Sequence, residues 1–451
     1  MVGLLGVNCQ DGASRSPLVV AGSGSADVAK LATTAELSPC DSLTASAAGH
    51  GAGPRPHRHQ DIEECPLEVT SEDYANDAAT TALVIKLLDV AAAQLDAGNA
   101  GAAWTCADRA TDLAARSVDA HLLRGGALAV LGRYEEAALA FSMALAIAPN
   151  DVVVLRTVAD AYLRARSEAV AGPTYAAVAL ELATRGYALA KSKRVDRHLI
   201  SELATLRAAA LNYLGRGTEA LLAVDAALRL VPDHVDAKYE RAAALFDLHR
   251  FGEAKTALLQ LLVLRPDDAA SHDLLGQTLE WLGDTAAANH FAQARKIAPE
   301  EYFAPQLISE SDFRAEIEVV VKSLPADKQQ QLKAVRFEIS DLPMIEDLAS
   351  VSPPFPPSIL GLFRADWSAD DAGPAGTSGS AAQVVSLLGP VAPSAQRLLA
   401  SGPSIVLYRK NLGRSAHTRV ELSEQIRDTV LHEIGHFDGL DEDDLRRRRM
   451  E

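Results

Sequence analysis

From about residue 84 to residue 300 the apolar positions recur at three- and four-residue steps, in short blocks broken by glycine-containing turns. That spacing predicts amphipathic helices rather than strands. Small residues mark each block: Gly98, Ala103, Ala107 and Ala110, then Gly132, Ala137 and Ala144 with Tyr134, Phe141 and Pro149. Gly215, Ala220, Ala227 and Pro232 follow, then Phe251, Ala254 and Pro266, and last Gly276, Gly283, Ala287, Phe291, Ala294 and Pro299. Gly132 stands 34 residues after Gly98, and Ala254 stands 34 after Ala220. After Pro299 the pattern changes. Phe313, Ile317 and Val320-Val321 suit a helix ending before Leu324-Pro325, and Val335 to Ile339 alternates like a strand. Residues 366–401 are rich in glycine and small polar residues and predict a flexible loop. A strand at Ser404 to Arg409 and a helix from about Leu422 to Phe437 close the chain, the helix with Ile426, Val430, Ile434 and Phe437 on one apolar face.

A 34-residue period with small residues at these offsets resembles the tetratricopeptide repeat, a pair of helices per unit. Frames beginning near 84, 118, 152, 201, 235 and 269 account for the region, and the third is irregular, with an insertion of a long turn or short helix around Gly172 to Arg197. Alanines such as Ala137 and Ala144 let paired helices approach closely, Phe141 fills the gap between neighbouring pairs, and the proline stops the second helix. Six such units exceed the number a stable stack needs. A stack of this kind commonly holds a protein partner on its concave face. Trp104 and Trp281 are read as packing residues.

Residues 1 to about 75 are rich in Gly, Ser, Ala, Pro and Asp without sustained periodicity, and read as disordered. His50, His57 and His59 within them belong to a solvated polar tract. The expected organisation is therefore a low-complexity region at 1–75, repeats at 76–304 and a separate domain at 305–451. An apolar fraction of 48% with only 5% aromatic residues favours closely packed helices. The formal charge of −17 repels phosphate backbones, so nucleic acid is not an expected partner. No run of about 18 uninterrupted apolar residues suggests a membrane span. Cys9, Cys40, Cys65 and Cys106 match neither a metal knuckle nor a small secreted framework, so reduced thiols and a cytoplasmic location are expected.

The chemistry lies near the end. His432-Glu433-Ile434-Gly435-His436 places two histidines four apart on a predicted helix, where both imidazoles reach one ion. Glu433 can then take a proton from metal-bound water and pass it to a leaving amine. A catalytic zinc takes three protein ligands and keeps one position open. Gly439 lets the chain turn, and Glu442 in the following acidic run is the preferred third ligand, with Asp443 and Asp441 as alternatives.

Residues 308 to 449 resemble the minimal zincin-like metallopeptidases of bacteria. The resemblance rests on Leu360-Gly361-Leu362-Phe363, on Leu407-Tyr408-Arg409 and on Thr429 to His436, with Gly439 following at the family's spacing. It implies His432, His436 and Glu442 as zinc ligands, Glu433 as the catalytic group and Zn2+ as cofactor. Family members commonly carry aspartate where Glu442 stands. The loop between Phe363 and Ser404 is longer than a minimal domain needs. In zincins generally a strand before the helix aligns substrate, and residues 404–409 are the candidate here. Tyr408 and Arg409 are read as structural, with oxyanion contact as the alternative.

The expected fold class is thus mainly α: a tetratricopeptide-like α-solenoid followed by a small α+β zincin-like domain. The expected function is a zinc-dependent peptidase acting on a peptide or protein, with the repeats recruiting substrate or partner. The competing expectation is a repeat-based interaction scaffold whose terminal zinc-binding domain is structural or inactive.

Overall fold

The structure is a computed structural model describing residues 64–165, 172–351, 353–364, 403–441 and 444–445. Its described part forms two compact units that divide between Thr157 and Val158. It is a mostly helical repeat solenoid followed by a small mixed sheet with helices, as the periodicity predicts.

Six helix pairs match the six frames. They are α1 Asp77–Asp96 with α2 Ala100–Leu113, α3 Val118–Val130 with α4 Tyr134–Ile147, and α5 Val152–Ala165 with α6 Gly172–Lys193. Next come α7 Arg197–Tyr213 with α8 Gly217–Leu230, α9 Val235–Asp247 with α10 Phe251–Leu264, and α11 Ala269–Trp281 with α12 Ala287–Ile297. In the irregular third frame the second helix is 22 residues long and covers most of the expected insertion. Small residues permit the close packing within a pair. A Cβ on Gly125 would stand 2.5 Å from the Phe141 ring, and one on Gly276 would stand 2.8 Å from Phe291. Phe141 thus packs against the first helix of its own pair.

The unit that ends at Thr157 holds one departure from expectation. Cys65 and Cys106 form a disulfide across 41 residues of sequence. The segment bearing Cys65, Leu67 and Val69 packs on the core of α1 and α2, which brings its thiol to the fully buried Cys106. The expectation of reduced thiols fails here because the spacing search looked for local pairs, whereas burial on one core made a distant one. Cys9 and Cys40, with the whole of residues 1–63, lie outside the described residues. In the same unit α1 is long and apolar enough to cross a membrane by length and composition. Its Leu83, Leu87, Ala91 and Leu95 are nonetheless core residues against α2 and α3.

In the other unit, α13 Glu310–Ser323 and α14 Ala326–Leu332 precede a three-stranded sheet. Its strands are β1 Arg336–Ser340, β2 Gly361–Arg364 and β3 Ser404–Tyr408, with the four-residue helix α15 Ile345–Leu348 between β1 and β2. Strand order is β1-β3-β2. β1 runs parallel to β3, and β2 runs antiparallel to it, with Gly361 opposite Leu407 and Phe363 opposite Ile405. After β3 come α16 Arg409–Arg414 and α17 Arg419–Phe437. Strand β3 is buried along its whole length, so its alternating side chains serve two cores. Ile405 and Leu407 join Phe313, Ile317, Val320, Leu422, Ile426, Val430 and Ile434 on the side of α13 and α17. Val406 and Tyr408 join Leu348, Phe355, Ile359 and Leu362 on the other. Burial on both faces explains a run of β-branched and long apolar residues where alternation would otherwise be expected.

Candidate metal centre

Helix α17 begins at Thr418, whose hydroxyl accepts the Glu421 N–H at 3.2 Å while the Glu421 carboxylate accepts the His417 N–H at 2.8 Å. This reciprocal cap fixes where the helix starts. Ile426, Val430 and Ile434 then lock its apolar face into the core, as their spacing predicts. That leaves His432, Glu433 and His436 on neighbouring faces, with His432 and Glu433 buried.

The two imidazoles meet. Their Nε2 atoms lie 3.0 Å apart and the ring centroids 4.7 Å apart. The helix ends in a turn that organises one of them. Gly439 adopts φ +78°, its N–H reaches the His436 carbonyl at 2.9 Å, and the Leu440 N–H reaches the Gly435 carbonyl at 3.0 Å. This is the Schellman arrangement of a glycine-terminated helix. It swings the Leu440 carbonyl back to within 3.0 Å of His436 Nδ1. A carbonyl only accepts, so Nδ1 carries the proton and the Nε2 lone pair faces His432. Two nitrogens bound tetrahedrally at the usual zinc bond lengths stand about 3.3 Å apart. The pair thus fits a zinc ion with a shift of a few tenths of an ångström.

Glu433 faces the sheet. A Cβ on Gly361 would stand 2.7 Å from Thr429 Cγ2 and 3.2 Å from Glu433 Oε1. Only glycine lets β2 lie this close to α17, so Gly361 is what places an outer strand of the described sheet beside the carboxylate. Phe363, two residues on, meets Phe437 edge-on at 5.8 Å. Lys328 pairs with Asp438 just past the end of α17.

One sequence expectation changes here and another holds. Residues 404–409 were the candidate substrate strand, but β3 is central and its backbone pairs with β1 on one side and β2 on the other. A strand hydrogen-bonded on both sides has no edge for a peptide, and the outer strands of the described sheet are β1 and β2. Tyr408 and Arg409 are structural. The Tyr408 ring is fully buried, on the sheet face turned away from α17, and its hydroxyl donates to Asp347 at 3.4 Å. Burial, with the Asp347 charge beside it, pushes its hydroxyl well above the usual tyrosine range. Arg364 completes this network, donating to Asp347 at 2.9 and 2.5 Å and to Glu338 at 2.9 Å. Arg409 donates to Asp341 at 3.0 Å and to the Ile308 carbonyl at 3.2 Å.

Of the third-ligand candidates, Glu442 and Asp443 lie outside the described residues, as does the loop at 366–401. The Asp441 carboxylate accepts the Asp444 N–H at 2.9 Å, capping the turn that buries Leu445. Among the described residues no group of three His, Cys, Asp or Glu side chains converges as a metal site. Sequence reasoning missed two contributors, the Leu440 carbonyl and the contact face of Gly361. The glycine stands in the Leu360 to Phe363 element already singled out, but its neighbour across the fold is not written there.

Residues 388–451 match the family of zincin-like metallopeptidases. The tetratricopeptide repeat matches residues 88–152 and 205–269. No curated protein matches the chain. Among solved structures, a thermophilic TPR protein of Thermus thermophilus is 19% identical over 44% of this chain and 98% of its own, with a TM-score of 0.37. PilF of Pseudomonas aeruginosa is 16% identical over 52% of this chain and 99% of its own, at 0.39. A chain of the APC/C hetero-tetramer Cut9-Hcn1 is 16% identical over 48% of this chain and 40% of its own, at 0.41.

Proposed function

We propose that the zincin-like region is a zinc-dependent peptidase centre and that the repeats bring a protein substrate or partner to it. The observation that carries the reading is the His432 and His436 pair, converging at Nε2 with His436 oriented by the Leu440 carbonyl. Outer hydrogen bonds of this sort fix the tautomer in histidine metal sites. His432, His436 and an acidic residue of the 441–443 run, Glu442 by preference, would hold the ion. Zinc, when bound, supplies Lewis acidity that makes water nucleophilic near neutral pH and polarises a carbonyl. Glu433, buried beside the pair, takes the proton of the attacking water and returns it to the leaving amine. Strand β2 is an edge of the described sheet, so an extended peptide adds to it through backbone hydrogen bonds. Gly361 brings that peptide within reach of Glu433.

A protein-binding role for the repeats is supported by the repeat family itself, since stacked helix pairs commonly bind partners along one face. The expectation of a cytoplasmic location rested on reduced thiols. A buried disulfide suits an oxidising compartment, which removes that premise.

The test is zinc per chain in the purified protein. Near one zinc in the parent, lost in His436→Ala and weakened in Glu442→Gln, supports the site. Glu433→Gln should keep the metal and lose about 10³-fold in peptide hydrolysis, the range of one general acid–base group. Activity unchanged by Glu433→Gln would sink the mechanism. A second reading draws on the repeat array, which is longer than the zincin-like region. On that reading the chain is an interaction scaffold with a structural or inactive zinc domain. Retained zinc with no hydrolysis of any peptide pool, together with a partner captured through the repeats, selects it.

A further inference from the structure

Every described turn between the two helices of a repeat puts one residue in the left-handed region. In four turns it is glycine: Gly98, Gly132, Gly215 and Gly283, with φ between +68° and +82°. The fifth, between α9 and α10, uses His249 at φ +59°. Its backbone bonds copy the glycine turns, with His249 N–H to Phe246 and Arg250 N–H to Leu245, as Gly215 and Arg216 bond to Asn212 and Leu211. A side chain at this position is therefore a departure from what the turn favours.

The side chain has a use beyond the turn. His249 Nε2 lies 2.9 Å from the carbonyl of Phe355, 106 residues away. A carbonyl needs a donor, so Nε2 carries the proton, and burial favours the neutral ring. Phe355 opens the segment that leads into β2. Within it the Asn411 amide donates to the carbonyls of Pro357 and Ile359 at 2.9 and 2.8 Å. The Tyr408 N–H donates to Leu360 at 2.9 Å, and Gly361 then lies against Glu433. An aromatic column runs beside this contact. Trp281 stacks on Phe251 at 5.0 Å, and it packs both in the repeat core of α9 to α11 and in the sheet core with Phe355, Val406 and Tyr408. Glu280, its neighbour, pairs with Lys410 and Arg414 on α16.

We propose that His249 is a positioning residue for the candidate site. From the repeats it holds residues 355–360, and through them it sets strand β2 against Glu433. The last two repeats are thereby part of the site's framework, and a ligand seated on them acts on β2 along this path. The consequence for catalysis rests on β2 being the substrate strand; the placement of the strand does not.

Hydrogen exchange on the full chain tests this. His249→Gly removes the donor but gives the turn its preferred residue, so the melting temperature should hold or rise. Exchange across residues 355–364 should quicken by about tenfold, the factor governed by one hydrogen bond of ordinary strength. His249→Gln, which carries an amide N–H at comparable reach, should keep the parent's exchange there. Unchanged exchange at 355–364 in His249→Gly overturns the proposal, and so does an equal acceleration throughout the chain. Where the parent hydrolyses peptide, KM should rise in His249→Gly with kcat nearly unchanged, and a change in kcat alone counts against it. A parent without hydrolysis sinks the peptidase reading, and the exchange experiment still decides this one.

Discussion

The repeats and the terminal helix α17 use glycine in the same two ways with different consequences. In the repeats, Gly98, Gly132 and Gly283 turn the chain at positive φ with nothing within 4 Å of where a Cβ would stand, and Gly125 and Gly276 admit a phenylalanine ring. In the terminal region, Gly439 turns the chain at φ +78°, and Gly361 admits the Glu433 carboxyl and Thr429. Each repeat device occurs several times along the stack, so the loss of one is shared among neighbours. The terminal devices stand at the candidate site, Gly439 in the turn beside His436 and Gly361 against Glu433. Redundancy makes the first region legible and tolerant, whereas the second is compact in sequence but depends on single contacts.

Four substitutions sharpen that contrast. Cys106→Ser should have the largest effect on stability. Opening a cross-link of 41 residues costs about 4 kcal/mol on the chain-entropy model, confined to the unit ending at Thr157. Denaturant melts with and without reductant would check this, and a parent insensitive to reductant would show that the pair contributes little. Gly361→Val should come next, at about 1–3 kcal/mol for overpacking against α17. Zinc content should be retained while hydrolysis falls, because Glu433 and β2 are pushed apart and the histidines are not. An equal loss of zinc would mean that β2 also supports the ligands. The smallest effect belongs to a matched pair, Gly132→Ala and Gly439→Ala, each costing about 1–2 kcal/mol for a Cβ in the left-handed region. Stability should fall alike in both, but zinc affinity should fall only in Gly439→Ala, where the Leu440 carbonyl leaves His436 Nδ1. Equal zinc affinity in the two would break the comparison.

Much of this was readable in advance, and the exceptions share a cause. The repeat frames follow from local period, because each helix pair is built from residues close in sequence. The histidine pair was legible for the same reason, since four residues on a helix bring two side chains to one point. Strand β3 was placed correctly, yet its role was not. Whether a strand is central or at an edge depends on which strands flank it, and β1 and β2 come from distant parts of the chain. The disulfide was missed likewise, because Cys65 reaches Cys106 only when its segment lies on the core of α1 and α2. Nothing local marks His249, whose partner stands 106 positions away.

The sequence by itself determined the helical repeats, the terminal helix with His432, Glu433 and His436, and the glycine that ends it. All of these depend on periodicity and dihedral preference within a few residues. Tertiary structure alone decided which strand lies beside Glu433, which cysteines pair, and that a repeat turn holds the segment leading into β2. These are contacts between residues far apart in the chain, and no local propensity encodes the distance that folding removes.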